Sequence, residues 1–152
     1  MIRVDKLQSW FLGRIELAAV LVCIQLAGCG GDHAAVSGTV SLDGKPMLGD
    51  RDHRVTVMFV PESGPGATTA ALLDKSGSYT LATGGQGGIK PGAYLVAISG
   101  VDVIRSADGS APPGARQITP KRYADPKESG FRADVQPGRN TFDFELKSGP
   151  GG

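Results

Sequence analysis

Cysteine is nearly absent from this chain, and the placement of its two copies removes whole classes of chemistry. Cys23 and Cys29 both fall within the first 29 of 152 residues, so the sequence beyond them can form no disulfide and no cysteine-based zinc site. Charge of one sign is also lacking. Three of the 16 basic residues (Arg3, Lys6, Arg14) and two of the 15 acidic ones (Asp5, Glu16) precede Cys29, which leaves 13 of each after it. Phosphate binding draws on a basic surplus that releases counterions, so this balance argues against nucleic acid as a partner. Histidine is limited to His33 and His53, and the single tryptophan is Trp10. The apolar stretch at 17–26 (LAAVLVCIQL) is about half the roughly 20 residues that a membrane-spanning helix needs.

That stretch has the form of an export signal. Arg3, Lys6 and Arg14 give a net positive lead segment, and the small residues Ala27 and Gly28 follow the apolar run, as a signal peptidase requires. The sequence Leu26-Ala27-Gly28-Cys29 resembles the lipobox of bacterial lipoproteins at all four positions. The resemblance implies lipid attachment at Cys29: a diacylglyceryl group on its sulfur, cleavage before it, and fatty acylation (palmitate) of the new amino terminus. Each buried methylene contributes ~0.8 kcal/mol, so one chain holds marginally and several hold firmly. Gly30, rather than Asp, follows Cys29; by analogy with lipoprotein sorting this favours the outer membrane of the cell envelope. The expected division is a signal peptide at 1–28, a flexible tether at 29–34, a single domain at 35–147 and a disordered tail at 148–152.

Within 35–147 the pattern is alternation broken by Gly, Pro and Asp, the signature of an all-β fold. Val36, Gly38, Val40 and Leu42 alternate with Ser37, Thr39 and Ser41 before the turn Asp43-Gly44. Val55, Val57 and Phe59 line a second strand, Thr68 to Leu73 forms a third, and Tyr79 and Leu81 belong to a fourth. The run Ala93 to Ser99 is apolar on both faces, which places it centrally. Phe131, Ala133 and Val135 mark a sixth strand, and Thr141 to Leu146, with Phe142, Phe144 and Leu146 inward, a seventh. The expectation is a seven-stranded Greek-key β-sandwich, transthyretin-like or Ig-like. No amphipathic helix is expected.

Several segments then acquire a joint meaning. Val36-Ser37-Gly38-Thr39-Val40, Asp43-Gly44-Lys45-Pro46, Val57 to Pro61, Asp74 to Tyr79, Pro91-Gly92-Ala93-Tyr94, Tyr123 to Gly130 and Gly138-Arg139-Asn140 occur in an order and spacing that resembles the bacterial carboxypeptidase regulatory-like domains. These are β-sandwiches related to transthyretin (prealbumin), often carried on envelope lipoproteins. The resemblance covers nearly the whole mature chain and implies scaffold chemistry, with no shared catalytic residues to carry over. Hydroxyisourate hydrolases of the wider group end in Tyr-Arg-Gly-Ser and use histidines; this chain ends in Ser148-Gly149-Pro150-Gly151-Gly152, so that activity is not implied.

The remaining candidates for chemistry are few. His53, beside Asp50 and Asp52, suits a metal or acid/base role, against the simpler reading of a solvated turn. No zinc-ligand spacing, calcium loop or Gly-x-Ser-x-Gly elbow occurs. Gly84 to Lys90 lacks the spacing and the following Ser or Thr of a phosphate loop, and reads as a hairpin tip. Lys45 and Asn140 are the nearest pair for an isopeptide cross-link. The stretch 101–121, with Asp102, Arg105, Asp108 and Arg116, reads as a long loop that a scaffold could use for a partner. The expectation is a non-catalytic envelope lipoprotein without cofactor or metal, held to the membrane through Cys29, with a structural or protein-binding role. The alternative is a carbohydrate-binding module facing an envelope glycan.

Overall fold

The computed structural model describes residues 32–64, 66–105 and 113–149. The expected signal peptide, the lipid site Cys29 and the first part of the tether lie outside the described residues. In chain order the strands are β1 (Ala35–Leu42), β2 (Lys45–Pro46), β3 (His53–Pro61), β4 (Thr69–Leu72), β5 (Ser78–Thr80), β6 (Ala82–Thr83), β7 (Gln86–Gly87), β8 (Gly92–Ile104), β9 (Gly114–Gln117), β10 (Phe131–Val135), β11 (Arg139–Thr141) and β12 (Phe144–Leu146). A 3-10 turn, Lys121–Ala124, is the helical element among the described residues. The described residues are thus all-β, and the alternating stretches fall on β1, β3, β4, β5, β8, β10 and the β11–β12 pair.

One sheet is built around β1. β5 and β2 pair with it antiparallel, while β11 and β12 pair with it parallel, in one register from Val36↔Asn140 to Val40↔Phe144. The other sheet runs β4-β3-β8 and continues to β10. Since β3 occupies one edge of β8 over His53↔Asp102 to Pro61↔Tyr94, β10 and β9 share its other edge in tandem, one at each end. β6 and β7 form a separate hairpin, whose two central residues, Gly84 and Gly85, have φ of 57° and 81°. Positive φ at both positions is the demand of a type I′ turn, which glycine meets without strain.

Alternation turns one face of each sheet inward. Val36, Val40, Tyr79 and Leu146 from the first sheet meet Val55, Val57, Phe59, Val96, Ile98 and Val135 from the second in one core. Phe59 lies at its centre, with the rings of Tyr79, Tyr94, Phe142 and Phe144 at 5.9 to 6.3 Å. Burial of this apolar area, at about 25 cal/mol per Å², is the main stabilising contribution. Tilted ring pairs add about 0.5–1.5 kcal/mol each.

Four expectations are corrected. Ala34, assigned to the tether, is 0% exposed and exchanges hydrogen bonds with Ile89 at 2.7 and 3.0 Å, so the fold starts before residue 35. The segment read as a long loop from 101 instead continues β8 to Ile104 and returns as β9. Gly100 does not end the strand; it makes room, because a Cβ there would meet Thr119 Cγ2 at 2.9 Å. The last strand is interrupted between Thr141 and Phe144, where the Asp143 carboxylate accepts the Thr39 N–H at 2.8 Å. Finally, Ser148, assigned to a free tail, donates its N–H to Asp43 Oδ1 at 3.0 Å and its hydroxyl to the same carboxylate.

Candidate functional site

His53 opens β3 and has Asp102 of β8 as its cross-strand partner. Its Nδ1 lies 3.2 Å from Asp50 Oδ1 and its Nε2 3.5 Å from Asp102 Oδ1. Asp50 is held in place locally: its Oδ1 accepts the backbone N–H groups of Asp52 and His53, each at 2.7 Å. The His53 and Asp52 amides hold the Asp50 carboxyl below its ordinary range. On the other side, Asp102 Oδ2 accepts from Arg116 Nη2 at 2.7 Å. Asp102 Oδ1 is buried and has no hydrogen-bond donor.

Of the two carboxylates expected near His53, the structure brings Asp50 to the ring and turns Asp52 toward Arg105. Asp102, placed by the sequence in a loop, takes the second position because strand register carries it there. The carboxylates meet opposite nitrogens of one imidazole, so the three side chains cannot converge on a single ion. Among the described residues no group of three or more His, Cys, Asp or Glu could hold a metal. The ring's hydrogen bond goes to Asp50, Asp102 Oδ1 receives none, and among the described residues no serine bonds the ring, so no activated nucleophile is assembled.

A groove of about 410 Å³ opens beside this bracket. Leu42, Met47, Leu48 and Ile118 give it an apolar lining, with Lys45 and His53 at its polar side. Leu48 is 53% exposed. A second hollow, between Pro61 and Tyr94, measures about 70 Å³ and holds little more than solvent.

The other sequence candidates separate. Lys45 pairs with Leu42 while Asn140 pairs with Val36, six strand positions apart, about 20 Å at 3.3 Å per residue. An isopeptide bond between them is ruled out. Asn140 instead caps a turn, donating from Nδ2 to Gln136 O at 2.7 Å. Of Gly84 to Lys90, read as a hairpin tip, only Gly84-Gly85 turn the chain; Gln86–Gly87 is β7 and Ile89 is buried against Ala34. A polar node the sequence did not reveal lies at Tyr123, whose hydroxyl accepts from Arg122 Nη2 at 2.9 Å and from Lys147 N–H at 3.0 Å. The Arg122 guanidinium sits 4.5 Å over the Tyr123 ring, and the ring stacks on Phe131 at 5.3 Å. Comparison with protein families, curated proteins and solved structures finds no match to this chain.

Proposed function

We propose that this chain is a lipid-anchored protein of the bacterial cell envelope, whose domain is a non-catalytic seven-stranded Greek-key sandwich of the carboxypeptidase regulatory-like kind. Its role on this reading is structural or protein-binding. The observation that carries the anchor is Leu26-Ala27-Gly28-Cys29 at the end of a short apolar stretch with a positive lead segment. Two features support a passive domain: the His53 bracket lacks a nucleophile, and the groove beside it is lined chiefly by aliphatic side chains. The carbohydrate-binding alternative has less support, because residues 101–121 contain no aromatic side chain on which a sugar ring could stack.

The anchor is tested by expressing the full chain with an alkyne fatty acid and fractionating the cells. The wild type is expected to take up label and pellet with membranes, and Cys29→Ala to lose both. Label and membrane association unchanged in Cys29→Ala would overturn the proposal.

A further inference from the structure

We propose that the end of the domain carrying Ala34, the Gly84-Gly85-Gln86 tip and Arg139 rests on the headgroup layer of the membrane that holds Cys29, with the apolar groove turned away from it. This orientation rests on the lipid anchor proposed above. It follows from how little chain separates the anchor from the fold. Ala34 has no slack, being fully buried and doubly hydrogen-bonded to Ile89, and the next amide, Ala35 N–H, is bound to Gly138 O at 2.8 Å. Five residues lead from Cys29 to Ala34, and fully extended they span at most about 18 Å.

The groove lies at the far end of β1, where Leu42 lines it. Eight strand steps separate Leu42 from Ala34, about 26 Å at 3.3 Å per residue. Bringing that end to the bilayer would stretch the tether beyond its reach, whereas the Ala34 end lies within it.

The near end presents charges of both signs, two cations beside the exposed carboxylates Asp32 and Asp134. Lys90 follows Ile89, the bridge partner of Ala34, and Arg139 pairs with Ala35. Both are exposed, and among the described residues neither is in an ion pair. Asp134 accepts from the neutral Gln136 Nε2 at 2.8 Å, which offsets none of its charge, so the orientation rests on the shortness of the tether and not on a basic patch. The β6–β7 hairpin lies at the same end, since Leu81 N–H binds Val36 O and Ile89 returns to bridge Ala34, with Thr83 meeting Thr69 of β4 at 3.1 Å. Side-chain-free Gly84 and Gly85 let that tip approach closely.

The test uses the full-length protein, purified after lipidation and placed in phosphatidylglycerol/phosphatidylethanolamine vesicles carrying headgroup-attached nitroxide quencher. A fluorophore is attached at Gln86→Cys or at Lys45→Cys; acylation of the Cys29 sulfur leaves each variant one free thiol. The expected result is loss of fluorescence at position 86 and none at position 45. A Gly/Ser insertion of about 20 residues after Gly31, with a typical span near 25 Å, is expected to abolish the loss at 86. Equal quenching at both sites, or stronger quenching at 45, in a chain whose acyl mass on residue 29 is verified would overturn the orientation alone. Absence of that acyl mass would overturn the anchor and the orientation with it.

Discussion

Gly38 lies with its backbone against the carbonyl of Phe142, so close that a Cβ at position 38 would fall 1.8 Å from Phe142 O. The same carbonyl accepts the Tyr79 hydroxyl at 2.8 Å, so three segments, β1, β5 and the β11–β12 junction, converge on it. Gly38 is therefore required for space. Gly38→Ala is expected to destabilise the domain by about 3 kcal/mol, the upper part of the usual overpacking range, seen as a lower urea midpoint at unchanged slope. Gly87→Ala, where a Cβ meets nothing within 4 Å, is the matched control and should leave the midpoint nearly in place.

The three tyrosines should ionise in a definite order. Burial, helped by the negative charge of Asp143, raises Tyr79 well above its ordinary value, and burial raises Tyr94. Burial also pushes Tyr123 upward, but the hydrogen bonds from Arg122 and the Lys147 amide outweigh it and bring the net value below the ordinary one. A spectrophotometric titration is expected to show one early phenolate, absent in Tyr123→Phe, and two that appear at higher pH. The folded state keeps the Tyr79 proton above pH 10.0, the ordinary value, where the unfolded chain releases it. Stability from this group is therefore complete below that pH and declines as pH rises beyond it. Tyr79→Phe should cost about 1 kcal/mol at neutral pH, the usual contribution of one internal hydrogen bond.

Acid should act through Asp74. Its Oδ1 accepts the Ser76 hydroxyl at 2.6 Å and the N–H groups of Ser76 and Ser78 at 2.8 and 3.0 Å, and these bonds, the Ser76 hydroxyl first, lower its pKa from 3.8. The unfolded chain takes up the proton first as pH falls. Stability from this group is present above pH 3.8 and disappears as pH drops through the lower folded value. Asp74→Ala is expected to melt below the wild type at pH 7, with the gap closing in strongly acid solution. A gap that stays constant across the acid range would contradict this account.

The β8–β9 arm should open independently of the core. All four residues of β9 are exposed, and Ile104 is 53% exposed, whereas Val96 and Ile98 in the same β8 strand are 0% exposed. Native-state hydrogen exchange is expected to be fast and denaturant-insensitive at Val103 and Arg116, and to follow global unfolding at Val96 and Ile98. Arg116→Ala removes an ion pair whose guanidinium is 70% exposed and whose Asp102 carboxylate is 17% exposed, a contribution of about 1 kcal/mol. It should speed exchange in the arm while leaving the melting temperature nearly unchanged.

Alternation makes most of the strands readable because one face of each is buried and the other wet. Val55, Val57 and Phe59, spaced two apart with Thr56 and Met58 between them, signal a strand by their pattern alone. The stretch after Gly100 is harder: Val101 and Val103 carry a strand signal, but the glycine reads as a break, and the Thr119 side chain that occupies the space beside it is 19 residues away in sequence. β9, with Gly, Ala, Arg and Gln, carries no apolar signal of its own. At the site, Asp50 is legible because it is local to His53. Asp102 is not, since only the pairing of β3 with β8 brings it to the ring. The Tyr123 node is hidden for the same reason: Arg122 adjoins it in sequence, but the Lys147 amide arrives from the far end of the chain.

The parallel alignment of β12 with β1 has an effect on anything joined to this domain. Because the first and last strands run the same way, Leu146 emerges beside Leu42, seven strand steps or about 23 Å from Ala35 at 3.3 Å per residue. A second module fused after Ser148 would stand off from whatever holds the amino-terminal side by the length of the sheet, so the domain would behave as a stiff spacer.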